Sequence, residues 1–186
     1  MVAITILQKT GTAIILANTG EHSPAAGNNI GTRTDQIDLG ALASGSFRQS
    51  TKIDFGAVRA AQWGGRAAIE WSVAPAISGL VTFHMSWSHS ATAATGNDGN
   101  CTGADGSYVG YGAAASDADE AVKLLDFLGT LKVTNDADIL IGFLNTFTIK
   151  ERYGNLITKN ATDQAFNADA IEMSIRLAPL EDEFQS

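Results

Sequence analysis

Along Leu80–Ser88 apolar and polar residues alternate from Val81 onward. Val81, Phe83, Met85 and Trp87 fall on one face, and Thr82, His84, Ser86 and Ser88 on the other. A period of two is that of a strand with one face against a core. Ile69, Trp71 and Val73 alternate in the same way with Glu70 and Ser72, which predicts a strand over Ala67–Ala74. The Pro75–Gly79 connection would pair these two strands and turn a Trp from each toward the core. Near the end of the chain Ile171, Met173, Ile175 and Leu177 oppose Glu172, Ser174 and Arg176, predicting a further strand. Shorter runs over Val2–Ile6, Ala13–Ala17, Gln36–Leu39, Gln49–Phe55 and Leu131–Val133 read as strands too. Over Asp138–Ile149 the residues Ile139, Ile141, Phe143, Phe147 and Ile149 share one phase, while Leu140 and Leu144 take the other. Such a strand is expected to be covered on both sides, by a helix or by a neighbouring subunit.

Breakers divide these runs. Residues 18–34, with Gly20, Pro24, Gly27 and Gly31, read as loop, and Gly45, Gly56 and Gly64-Gly65 punctuate the next stretch of chain. One helix is predicted: Ser116 caps it, Asp119 comes three residues later, and Ala118, Ala121, Val122 and Leu125 form its apolar stripe. Gly129 is its expected stop. Residues 90–116 form a long Gly-, Ala- and Asp-rich loop, and a loop of that length is functional or is ordered by a neighbour. The reading is an all-β chain, an antiparallel β-sandwich of jelly-roll type with one short α-helix. It is expected to be one domain over 1–186, with 1–34 as an N-terminal arm or edge strands.

Composition narrows the partners. Charged residues are 17% of the chain, below the usual share of about a quarter, and charge is depleted where protein meets protein. Twelve Lys and Arg stand against twenty Asp and Glu, a net charge of −8. Nucleic acid is therefore not expected as a partner, since phosphate binding needs clustered bases. No apolar run reaches membrane-spanning length, so no membrane partner is expected and the protein reads as soluble and cytoplasmic. Cys101 is the single cysteine, so the sequence offers no intrachain disulfide and no thiolate metal cluster.

Candidate chemistry is sparse. Ser86 with His84 or His89 and a nearby acid could be drawn as a hydrolytic triad, but no Gly-x-Ser-x-Gly elbow marks it, and His22 lies in a loop. The spacing of His84, His89 and Cys101 matches no zinc site. Asp98, Asn100 and Asp105 in the glycine-rich loop offer oxygen ligands for calcium, yet no spaced glutamate is present. Asn100 and Asn160 stand in glycosylation sequons with no secretory signal ahead of them. The expectation is a protein with no cofactor, no metal and no catalytic residue. Tyr108 and Tyr111, set among glycines, are interface candidates. So are Leu140 and Leu144 on their separate phase.

The order of segments in the C-terminal half carries a resemblance. A Gly/Asn/Asp-rich loop leads into Tyr108-Val109-Gly110-Tyr111, then the acidic helix, then Arg152-Tyr153-Gly154, and the chain closes with Pro179 and an acidic run. This half resembles small virion structural proteins of tailed bacteriophages, of the capsid decoration or cement type. The resemblance implies a structural role in the virion after assembly in the host cytoplasm, with the major capsid protein and further copies of the chain as partners. It implies no catalytic residue. For such a role Val2, Ile4 and Ile6 would serve as an arm or edge strand. The alternative is a tail, collar or fibre component whose jelly roll binds carbohydrate through Tyr108, Tyr111 or Trp87.

Overall fold

The computed structural model describes residues 12–18, 31–57, 60–112, 115–134 and 138–180. The strands are β1 (Ile14–Ala17), β2 (Asp35–Gln36), β3 (Phe47–Gln49), β4 (Ile53–Asp54), β5 (Gln62–Glu70) and β6 (Leu80–Ser88). They continue with β7 (Gly106–Ser107), β8 (Asp126–Lys132), β9 (Ile139–Thr148), β10 (Tyr153–Ala161) and β11 (Ser174–Pro179), and α1 spans Ala115–Ala121. The first sheet runs β2-β1-β11-β5-β9; the second runs β7-β3-β10-β6-β8, with β4 also paired to β10. Every pairing is antiparallel except β1 with β2. The antiparallel sandwich expected from the alternation is present. Jelly-roll connectivity is a narrower statement, which these strand orders do not establish. The expected strand at Val2–Ile6 lies outside the described residues.

The core fills the space between the sheets. Trp63, Ile69 and Trp71 from β5 and its end meet Val81, Phe83, Met85 and Trp87 from β6, with Leu156, Ile175 and Leu177 beside them. Phe55 stacks edge-on to Trp63 at 5.2 Å and lies 5.6 Å from Trp87. Each indole N–H is bonded: Trp63 donates to Ala60 O, Trp71 to Thr162 Oγ1 and Trp87 to Asp126 Oδ2. Large rings can be buried this way because their polar edges are not stranded.

Several expectations are corrected. Strands β5 and β6 do not pair; β5 lies between β11 and β9, whereas β6 lies between β10 and β8. The Pro75–Gly79 segment crosses from one sheet to the other, and both Trp-bearing faces look inward from opposite sides of the core. The Gly64-Gly65 pair does not end a strand but lies inside β5. A Cβ on Gly65 would stand 2.9 Å from Leu144 Cδ1, so glycine there permits close approach of β9. Ser116 sits inside α1 rather than capping it, and the helix passes into a 3-10 turn at Val122–Leu124. Gly129, the expected stop, is a residue of β8 at φ +142, where a Cβ would press within 3.1 Å of Asn145 N.

Strand β10 is the element that sequence alone left unassigned. It is the central strand of the second sheet and is buried on both faces, including Asn155, Thr158 and Asn160. These polar residues organise loops. Asn160 Nδ2 donates to Leu42 O and Gln164 O, its Oδ1 accepts from Thr162, and Asn155 Nδ2 donates to Ser50 O.

The outer face of the second sheet is covered by the chain between β6 and β8. Phe47 and Ile157 from the sheet pack against Cys101, Tyr108, Ala118, Ala121 and Val122, with Leu125 beside them. Residues 90–112, with α1 and the turn after it, thus form a lid over this sheet with its own small core. Its polar side chains fold it onto itself: Asn97 Nδ2 donates to Ala93 O and Cys101 O, and Asn100 Nδ2 to Gly110 O. The Lys52 ammonium lies among Ser88 Oγ and the carbonyls of Ser90, Thr92 and Thr95, at 2.6–2.9 Å.

Candidate functional site

The outer face of the first sheet is built differently. Around β5 and β9 no helix or loop of the described residues covers it, and β9 is the sheet's last strand. Between Gly65–Leu144 and Trp63–Phe147 the register steps, so β9 carries one extra residue. A bulge of this kind reverses the inside-outside phase. Before it Ile139, Ile141 and Phe143 point outward, at 43%, 52% and 82% exposure, while Leu140 and Leu144 turn inward. After it Phe147 and Ile149 turn inward. The single phase expected for Ile139 through Ile149 is therefore two phases.

The register lays the outward residues in rows across the strands. Phe143, Arg66 and Arg176 are successive partners, and the Arg66 guanidinium lies 5.9 Å from the Phe143 ring centre. Arg66 and Arg176 thus face each other directly, and no ion pair among the described residues engages either. Like charges in that relation destabilise a sheet. The next row is Ile141, Ala68 and Ser174, and beyond it Ile139 pairs with Glu70. Glu172 lies against Glu70, and its carboxyl is pushed up by burial and by that neighbour. Glu70 Oε1 in turn accepts from Asn167 Nδ2.

On the other side of the arginine row the side chains nearly vanish. Gly64 pairs with Ala178, leaving a groove of about 350 Å³ between Arg66, Phe143 and Arg176 on one side and Leu180 on the other. The face therefore combines an apolar stripe, a shallow groove and two guanidinium groups that no ion pair among the described residues engages. Chemically it can bury apolar surface and receive carboxylates.

The structure places the residues expected from sequence in different settings. Val2, Ile4, Ile6 and His22 lie outside the described residues. Tyr108 is not a surface anchor: it is buried under the second sheet's lid, its hydroxyl donates to Gly99 O at 2.7 Å, and burial pushes its phenol above the ordinary range. Tyr111 is exposed. Leu140 packs against the core while remaining partly exposed, and Leu144 is buried in the core. Trp87 is buried, which leaves Tyr111 as the exposed member of the three residues considered for sugar stacking.

The other candidates are engaged internally. Ser86 Oγ donates to Asp98 O rather than to an imidazole. His84 Nε2 contacts Thr82 Oγ1, its ring lies edge-on to Phe127, and burial followed by the Lys159 charge lowers its pKa to about 4. His89 is exposed, with its ring against Gly96. Burial opposes ionisation of Asp105, but bonds from Arg48, the Asp38 amide and Gln36 hold its carboxyl below the usual range. No group of three His, Cys, Asp or Glu among the described residues could hold a metal ion. The Cys101 thiol is buried and pushed up to about 11. Asn160 is buried, so its sequon is closed.

Sequence reasoning missed the outward role of Ile139, Ile141 and Phe143 and the pairing of the two arginines. A signal for the first exists in the string: Leu144 and Phe147 are three apart, which no uninterrupted alternation can place on one face. Against known proteins, the sequence matches no family model and no curated relative.

Proposed function

We propose that this chain is a structural protein of a virion shell, of the capsid decoration type, which acts by binding protein and carries out no reaction. The observation that supports the reading is the open half of the first sheet. There the edge strand β9 holds Ile139, Ile141 and Phe143 in solvent beside the groove at Gly64. An exposed apolar stripe beside a groove is the kind of surface that marks a protein contact. The partners implied are the major capsid protein and further copies of the chain. The bound state adds interface area to the shell and so resists its rupture.

Co-sedimentation tests this. The protein is expected to pellet with assembled capsids, and Phe143→Asp to pellet less while remaining folded. Recovery of the wild-type protein only in the wash, never on shells, would overturn the reading.

A further inference from the structure

The groove beside the arginine row lies at the end of β11. Its floor is Gly64 and Ala178, register partners on β5 and β11. Leu180 forms one wall: its backbone N–H donates to Gln62 O at 2.9 Å, and a Cβ on Gly64 would stand 3.4 Å from Leu180 Cδ2. Arg66, Phe143 and Arg176 form the other wall. All four wall residues are exposed.

The sequence that follows Leu180 has the complementary chemistry. Residues 181–186, which lie outside the described residues, are Glu181, Asp182, Glu183, Phe184, Gln185 and Ser186. Three carboxylates thus stand beside one aromatic ring. The groove offers two guanidinium groups that no ion pair among the described residues engages, next to a floor with almost no side chain.

We propose that residues 181–186 fold back from Leu180 into this groove, setting the Phe184 ring on Gly64 and Ala178 and the Glu183 carboxylate on Arg66 and Arg176. The reach suffices. Arg176 lies four residues before Leu180 on β11, about 13 Å away along the strand. A reversal over Glu181 and Asp182 leaves four residues, about 13 Å of extended chain, to lie back over the groove. A carboxylate between two neighbouring guanidinium groups also relieves their mutual repulsion.

Tethering and charge select this occupant. A segment joined to the groove's own wall is present there at an effective concentration in the millimolar range, above that of any second copy in dilute solution. An acidic segment of another protein would meet the repulsion of a chain with net charge −8. Exposed ion pairs are weak, so the docked tail is in equilibrium with a released one and is released further by salt. A partner that takes the groove must displace the tail. That consequence rests on the proposed function; the docking itself does not.

The experiment compares amide NMR spectra of the full chain, as wild type and as Phe184→Ala. Spectra are recorded at about 50 and about 500 μM, both below the millimolar effective concentration of a short tether. Removing the ring should move the Gly64, Gly65 and Ala178 signals and leave those of β6, in the other sheet, in place. With Arg66→Gln and Arg176→Gln together, or at high salt, the same substitution should move them less than about half as far. Both arginines are exposed, so these variants should fold, and unchanged β6 signals verify it. Signals that do not move on Phe184→Ala overturn the proposal, and that comparison needs no change in the sandwich. So does a movement that is equal with and without the arginines. A movement seen only at the higher concentration overturns it as well, because the tail then belongs to a second copy. Each result is obtained without a shell, so it is separate from the outcome for capsid binding.

Discussion

The two outer faces of the sandwich share the same alternation and reach opposite ends. Behind the second sheet, Ile157 and Phe47 face outward yet are buried, because the chain between β6 and β8 folds over them with Cys101, Tyr108 and α1. Leu124 and Phe127 at the rim are apolar residues left exposed there. Behind the first sheet, Ile139, Ile141 and Phe143 face outward with nothing of the described chain across them. An outward apolar residue thus has two meanings, and only the packing tells them apart. The described chain covers the apolar residues of one face with a long segment of its own and leaves Ile139, Ile141 and Phe143 of the other in solvent.

The largest effect should come from uncovering the closed face. Tyr108→Ala removes the ring that packs 6.2 Å from Phe47 and leaves Gly99 O without its donor. Denaturant unfolding should show a loss of about 3–5 kcal/mol, the range for truncating a buried aromatic. Tyr108→Phe, which keeps the ring, should lose only about 1–2 kcal/mol. If Tyr108→Ala is no worse than Tyr108→Phe, the lid contributes little and the contrast between the faces collapses.

A middle-sized effect should appear with pH. His84 lies on the same covered face, with a folded pKa of about 4 against 6.5 for the free side chain. The unfolded chain therefore takes up the proton first. Stability is full above pH 6.5, falls as the pH drops through that window and levels off below about 4. Discounted for the solvent that still reaches the ring, the loss is about 1–3 kcal/mol. His84→Gln should flatten that part of the profile. An unchanged slope would mean that the imidazole is not desolvated by its neighbours, and the closed face would be wetter than its packing implies.

How much of this was legible before the fold was known differs by element. Strand β6 was readable to the residue, because Val81, Phe83, Met85 and Trp87 all look inward and nothing interrupts the period. The polar residues opposite them misled, since Ser86 and Ser88 are buried beneath the lid rather than in water. Strand β10 was hidden by Asn155, Thr158 and Asn160; Asn155 and Asn160 are buried through bonds to distant loops that no local window contains. Glycine misled twice: Gly64-Gly65 and Gly129 serve close strand approach, a use that reads in sequence like a turn or a stop. The candidate face was the least legible part. The bulge exchanged the roles of Leu144 and Phe143, and Arg66 and Arg176 become neighbours only through the β5–β11 register.

The smallest stability effect is the most telling for the open face. Phe143 is 82% exposed and its ring lies against the Arg66 guanidinium. Truncating it removes almost no buried area, so Phe143→Ala should change unfolding free energy by no more than about 0.5 kcal/mol. A buried residue of the same strand is the control: Leu144→Ala, inside the core at the bulge, should lose about 2–5 kcal/mol. The two positions are adjacent in sequence and differ in which side of the sheet they face. If Phe143→Ala proves as destabilising as Leu144→Ala, the ring is packed within the protomer and the face is closed in solution. If Phe143→Ala is neutral for folding yet weakens self-association and capsid binding, the residue is held exposed for contacts outside the chain.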